Sequence, residues 1–136
     1  MRNAQGGFTL IEIMVVVVIL AVLGALVVPK ILENVDKARV TRAQSDIRAI
    51  QTALDLYRLD NFKYPTTEQG LQALVAQPDT EPRPVRWYQL YKELPKDPWQ
   101  NPYIYRNPGV KNPNSYDLFS AGPDRIPDTA DDDWGQ

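Results

Sequence analysis

Apolar positions follow two regimes in the first sixty residues. From Phe8 to Val28 they are almost continuous, and Glu12 is the only charged side chain among them. That stretch matches the roughly 20 residues a helix needs to cross a bilayer. Beyond Lys30 the pattern becomes periodic. Ile47, Ile50, Leu54 and Tyr57 recur at spacings of three and four, and Val35 and Ala43 continue the stripe upstream. Lys37, Arg39, Arg42, Asp46, Arg48, Asp55 and Arg58 lie between them. This is the signature of an amphipathic helix. The two regimes predict one long helix whose first half meets lipid or copies of itself and whose second half buries a stripe against a globular head. Pro29 removes a helical hydrogen bond and crowds the preceding turn, so a kink or break is expected near residues 25–29, with Gly24 adding flexibility.

After Asn61 the signals become short. Thr66-Thr67-Glu68-Gln69 fits a capping box that opens a short helix to about Ala76, with Leu71, Leu74 and Val75 on its apolar side. Pro78, Pro82 and Pro84 make a loop, and Trp87, Tyr88, Leu90, Tyr91 and Leu94 supply cover for the long helix. Tyr103–Tyr105 and Ser115–Ser120 read as strands, with a turn at Asn107-Pro108-Gly109. The expected fold is α+β: a long N-terminal helix packed on a small antiparallel sheet. Its divisions are 1–7, a leader; 8–28, a membrane segment; 29–62, the amphipathic half; and 63–136, the head.

Composition narrows the chemistry. The 136 residues include no cysteine and no histidine. Disulfides and thiolate metal sites are therefore absent, and so are the usual general base and the commonest metal ligand. A net charge of −2 argues against nucleic acid as a main partner. Acid concentrates at the C-terminus, where Asp124, Asp128, Asp131, Asp132 and Asp133 occur close together. Composition alone reads this as a solvated tail. Gly122-Pro123-Asp124-Arg125-Ile126-Pro127, however, is a rigid turn that folds carboxylates toward one another, and a hard oxygen-seeking cation would suit it. The spacing is not that of an EF-hand.

The N-terminus differs from a secretory signal, whose small-residue cleavage site follows the apolar run. Here Gly6 and Gly7 precede it, so cleavage after Gly7 would leave the run attached, with Phe8 as the new terminus. Gly7-Phe8-Thr9-Leu10-Ile11-Glu12 resembles the prepilin peptidase site of the type IV pilin-like family. The resemblance implies cleavage between Gly7 and Phe8 and methylation of Phe8. It also implies an assembly role for Glu12, which would neutralise the terminal amine of a neighbouring subunit. It places the leader on the cytoplasmic side. The basic residues Lys30, Lys37, Arg39 and Arg42 lean the other way on the positive-inside rule.

Tyr64-Pro65-Thr66-Thr67-Glu68-Gln69-Gly70-Leu71, Leu94-Pro95-Lys96-Asp97-Pro98-Trp99 and Phe119-Ser120-Ala121-Gly122-Pro123-Asp124 are similar to the major pseudopilins of type II secretion systems. That resemblance implies a fibre subunit anchored in the bacterial inner membrane with its head in the periplasm. The implied partners are further copies of the chain in a helical homopolymer, minor pseudopilins, the prepilin peptidase, an inner-membrane assembly platform and membrane lipid. It also implies calcium, held by the side chains of Asp124 and Asp131 and by carbonyls of Ala121, Ile126 and Thr129, with Asp132 as a further candidate. Other readings stay open: a type IV pilus subunit, or a membrane-anchored periplasmic binding module. An enzyme is not expected, because only a carboxylate pair could act.

Overall fold

The computed structural model describes residues 6–136, so the first five residues of the expected leader lie outside the described residues. The fold is α+β as expected. It has a long N-terminal helix, α1 (Leu10–Asn61), a short 3-10 helix (Leu71–Leu74) and two strands, β1 (Ile104–Arg106) and β2 (Asp117–Phe119). The chain divides into two compact units, Met1–Ala38 and Arg39–Gln136.

In the first unit every described side chain from Gly6 to Ala38 is exposed except the half-buried Gly24. By length and composition α1 can cross a membrane, and none of its most apolar 18-residue window is buried. Of the kink or break expected near residues 25–29, the break does not occur: α1 continues through Pro29. A proline forfeits only its own N–H, and long apolar helices tolerate that loss.

The second unit is built on the amphipathic stripe. Ala43, Ile47, Ile50, Ala53, Leu54, Tyr57 and Asn61 are the buried positions of α1. Ile47, Ile50 and Leu54 are fully buried, each contributing about 1.5–3 kcal/mol of transfer free energy. Val35, expected on the stripe, is exposed at 41%; burial begins only at Ala43. The stripe packs against Leu71, Ala73, Leu74, Tyr103, Tyr105 and Leu118, with Trp87, Leu90, Tyr91 and Leu94 partly buried against that core. Tyr88, expected in this cover, is exposed.

The strands pair antiparallel with Ile104 opposite Phe119, Tyr105 opposite Leu118 and Arg106 opposite Asp117. Tyrosine hydroxyls fix the sheet to neighbouring segments. Tyr103 donates to Asp46 Oδ2 at 2.8 Å, and Tyr105 donates to the Pro65 carbonyl at 2.6 Å. The capping box forms: Thr66 N–H donates to Gln69 Oε1 and Gln69 N–H to Thr66 Oγ1, at 3.1 and 3.2 Å. It does not open an α-helix to Ala76, because Gly70, with φ +58°, breaks the run and leaves the 3-10 turn.

Candidate functional site

Two places carry the residues singled out by sequence. In the first unit, Gly7 and Phe8 precede the helix in a non-helical, exposed stretch, with Phe8 80% exposed. A side chain placed on Gly6 or Gly7 would meet nothing. The bond between Gly7 and Phe8 is therefore open and unencumbered. Thr9 caps the helix: its Oγ1 accepts from Glu12 N–H at 3.3 Å, and its carbonyl accepts from Ile13 N–H at 3.3 Å. Glu12 thus falls in the first turn, where the helix dipole favours a negative charge. Its side chain is exposed on an otherwise apolar surface, and among the described residues it has no ion-pair partner.

In the second unit, the segment from Ser120 to Gln136 is a folded loop followed by a docked tail, in contrast to a frayed end. Ser120 and Asp133 exchange backbone hydrogen bonds at 2.9 and 3.0 Å, which closes the loop neck. Gly122, with φ +68°, abuts the Asp131 carbonyl so closely that any side chain there would clash. Trp134 stacks on Phe119 with ring centroids 4.3 Å apart. Gly135, with φ +76°, passes close enough to Ile47 that an added Cβ would come within 2.7 Å of it. The Gln136 carbonyl accepts from Gln44 at 3.0 Å.

Inside the loop the carboxylates have separate tasks. Asp124 Oδ1 accepts from Ile126 N–H at 2.8 Å. Asp131 Oδ2 accepts from Asp124 N–H at 3.1 Å, and its Oδ1 accepts from the Thr129 hydroxyl at 2.7 Å. The Thr129 hydroxyl also lies 3.0 Å from the Ile126 carbonyl. The hydroxyl and the Asp124 N–H hold Asp131 below the usual carboxylate range. Of the expected metal residues, the fold therefore gathers Asp124, Ile126, Thr129 and Asp131. Ala121 is buried at the neck.

Asp132 does something else. Its Oδ2 accepts from Asp128 N–H at 2.7 Å and Thr129 N–H at 3.2 Å, so it caps the turn. Asp128 forms a two-pronged pair with Arg106, at 2.9 and 2.8 Å. That guanidinium holds Asp128 below the usual carboxylate range. Among the described residues no three acidic side chains converge as a metal-holding group. Carboxylate and carbonyl oxygens, the donor types this loop carries, are those a hard cation of high coordination number takes.

Sequence reasoning missed two buried carboxylates that hold turns of the head. Asp97 is fully buried. Its Oδ1 accepts from Trp99 and Asn101 N–H at 3.0 and 2.7 Å. The buried Asp117 accepts from Val110, Lys111 and Asn112 N–H at 2.7, 2.9 and 3.0 Å. An aspartate followed by Pro98 in a turn-rich run was the available signal for the first. For the second there was none, because an aspartate in a strand ordinarily faces solvent.

Comparison with known proteins bears on both places. Residues 30–134 match the family described as type II secretion system (T2SS), protein G. Residues 2–28 match the prokaryotic N-terminal methylation motif. Type II secretion system core protein G of Pseudomonas aeruginosa is 54% identical over 134 residues, covering 97% of this chain and 93% of that protein. The protein of the same name from Escherichia coli K12 is 50% identical, covering 98% and 93%. That from Vibrio cholerae is 53% identical, covering 88% and 82%. The crystal structure of the major pseudopilin from the type 2 secretion system of enterohaemorrhagic Escherichia coli superimposes with a TM-score of 0.68 at 46% identity. It covers 75% of this chain and 86% of that one.

Proposed function

The chain belongs to the type II secretion system protein G family, and from that premise we propose that it is the repeating subunit of a pseudopilus whose growth drives export of folded proteins. The observation that carries this reading is the arrangement of the first unit. An exposed, non-helical Gly7–Phe8 bond stands two residues before a Thr9-capped helix. The apolar segment of that helix is unburied within the chain and carries Glu12 as its one charge.

In this reading water cleaves the Gly7–Phe8 amide on the cytoplasmic side, and the freed Phe8 amine attacks the methyl group of a sulfonium-type donor, which leaves as the thioether while the amine sheds a proton. Glycine suits the bond because an extended peptide without a side chain reaches a protease cleft easily. The mature helix is retained in the inner membrane, and the head lies in the periplasm. In the fibre, Glu12 of one copy pairs with the Phe8 amine of the next, so each buried charge neutralises the other. Minor pseudopilins, the prepilin peptidase and an inner-membrane assembly platform are the partners this cycle requires.

The C-terminal loop would hold calcium. The side chains of Asp124 and Asp131 and the carbonyls of Ala121, Ile126 and Thr129 would be its ligands, while Asp132 would orient the turn or join them. The bound ion supplies charge neutralisation at the loop carboxylates. The loop residues themselves keep the C-terminal tail docked.

Intact-mass analysis of filaments purified from a host that carries the peptidase tests the proposal. The expected mass is that of a chain beginning at Phe8 with one added methyl group. Filaments built from chains that begin at Met1 would sink it.

A further inference from the structure

Closing the 121–132 loop meets two kinds of resistance. It gathers two carboxylates of like charge on one short loop, with Asp131 Oδ2 accepting from the Asp124 N–H at 3.1 Å. It also needs left-handed backbone at Gly122, Arg125 and Asp128, with φ +68°, +62° and +67°. Arg125 adopts this conformation rarely, and Asp128 does so more readily than most side chains but less readily than glycine. Something within the chain must oppose both.

Arg106 is placed to do so. It lies on β1, opposite Asp117 of β2, and its guanidinium sits 5.1 Å above the Phe119 ring, so it is grounded on the sheet. Both of its outer nitrogens donate to Asp128, one to each carboxylate oxygen. Asp128 in turn joins the loop interior through its N–H, which donates to Asp132. The exit of the loop is held on the same ring, because Trp134 stacks on Phe119 and Lys111 lies 4.1 Å over Trp134.

We propose that the Arg106–Asp128 fork is a clamp that holds this loop closed ahead of the cation, so that calcium affinity depends on a residue pair that does not touch calcium. The inference rests on the calcium reading above. If only the closed loop binds, apparent affinity falls in proportion to the fraction closed, and either half of the fork controls that fraction. Arg106 and Asp128 are positioning residues. Arg106 brings geometry as well as charge, since a planar guanidinium engages both carboxylate oxygens and an ammonium cannot.

A purely electrostatic role predicts the opposite sign at one position. Removing the cation Arg106 from beside an acidic loop would then tighten calcium. A clamp predicts that Arg106→Gln and Asp128→Asn both weaken it, each by about threefold to fivefold for a partly exposed pair. Arg106→Lys, which keeps the charge and loses the fork, should also weaken it. The double variant should be no worse than either single one.

The test is calorimetric titration of calcium chloride into the full chain in detergent, with proteolysis of the 121–132 loop followed in chelator. In chelator the variants should be cut several times faster than the unsubstituted chain. Asp128→Asn leaves Arg106 over Phe119, so it carries the test if Arg106 variants do not fold. Tighter or unchanged binding in Arg106→Gln overturns the clamp. So does a hundredfold loss confined to Asp128→Asn, which would make Asp128 a ligand. Absence of binding by the unsubstituted chain sinks the calcium reading and this inference together, whereas normal binding by all variants sinks the clamp alone.

Discussion

The Ser120 hydroxyl donates a 2.7 Å hydrogen bond to Asp97 Oδ2, 23 residues away in the chain. Both residues are fully buried. Ser120 Oγ also accepts from Gly122 N–H at 3.2 Å. The contact therefore ties the 97–101 turn to the neck of the C-terminal loop. Asp97→Ala would strand the Trp99 and Asn101 N–H groups and the Ser120 hydroxyl in the interior. Ser120→Ala would leave one carboxylate oxygen unpaired. Each unsatisfied buried group costs about 1–3 kcal/mol, so Asp97→Ala should be the worse of the two. All three tryptophans, Trp87, Trp99 and Trp134, lie in the second unit, so denaturant unfolding of the full chain followed by tryptophan fluorescence reports on this region. Equal midpoints for both variants and the unsubstituted chain would contradict the anchoring role.

Acid stability should depend on Asp117. Burial opposes its ionisation, but the N–H groups of Lys111, Val110 and Asn112 outweigh it and hold the carboxyl below its ordinary value. A depressed folded pKa means that the unfolded chain binds the proton more readily. The stabilisation is thus fully present above the unfolded value of about 3.9. It is lost as pH falls below that value and through the folded one. Asp117→Asn should remove the acid-side slope contributed by this group. It should also destabilise the second unit at neutral pH by about 2–3 kcal/mol, because an amide cannot accept from all the donors it would face. Unfolding midpoints between pH 2 and 7 for both chains check this, and parallel profiles would count against it.

What the sequence revealed and what it concealed divide along chain distance. The amphipathic stripe, the capping box and the two strands rest on neighbours within a few residues, so spacing alone exposes them. The capping box was legible and yet its helix was not, because Gly70 takes a positive φ that only the surrounding fold demands. Pro29 does not end the helix, since one missing N–H is tolerated within it. That the 122–127 turn folds carboxylates toward one another could be read from its residues, whereas the choice of Asp124 and Asp131 came from the family resemblance. Their supports could not be read. Arg106 and Asp128 stand 22 residues apart, as Asp97 and Ser120 stand 23, and only the folded chain brings such pairs together.

Glu12 should matter for assembly more than for folding. Glu12 belongs to the first unit, and the buried core lies in the 39–136 unit. Glu12→Leu should therefore leave the chain in the membrane with a normal tryptophan unfolding curve. In a fibre it would leave the Phe8 amine of a neighbour unpaired at low dielectric, a loss of roughly 3–5 kcal/mol for a buried pair broken on one side. Filament yield by electron microscopy and export of a folded substrate should both drop sharply. Wild-type filament yield from this variant would remove the pairing role.

Calcium should stabilise the C-terminal end of the head. Asp124 and Asp131 lie on one loop, joined by the Asp124 N–H at 3.1 Å from Asp131 Oδ2, and two like charges held close repel unless a proton or cation lies between them. A ligand that binds only the folded state stabilises it by RT ln(1 + [L]/Kd), about 2.7 kcal/mol at a hundredfold excess over Kd. Chelator should therefore lower the melting temperature read by tryptophan fluorescence and free the tail that Trp134 and Gln136 hold down. Asp124→Ala should melt at the chelator value whether or not calcium is added. Magnesium should restore little, because it demands a tight octahedral shell and surrenders its waters reluctantly. Identical melting curves in calcium and in chelator would mean that hydrogen bonds alone close the loop, with Thr129 and the backbone amides sufficient to hold the two carboxylates together.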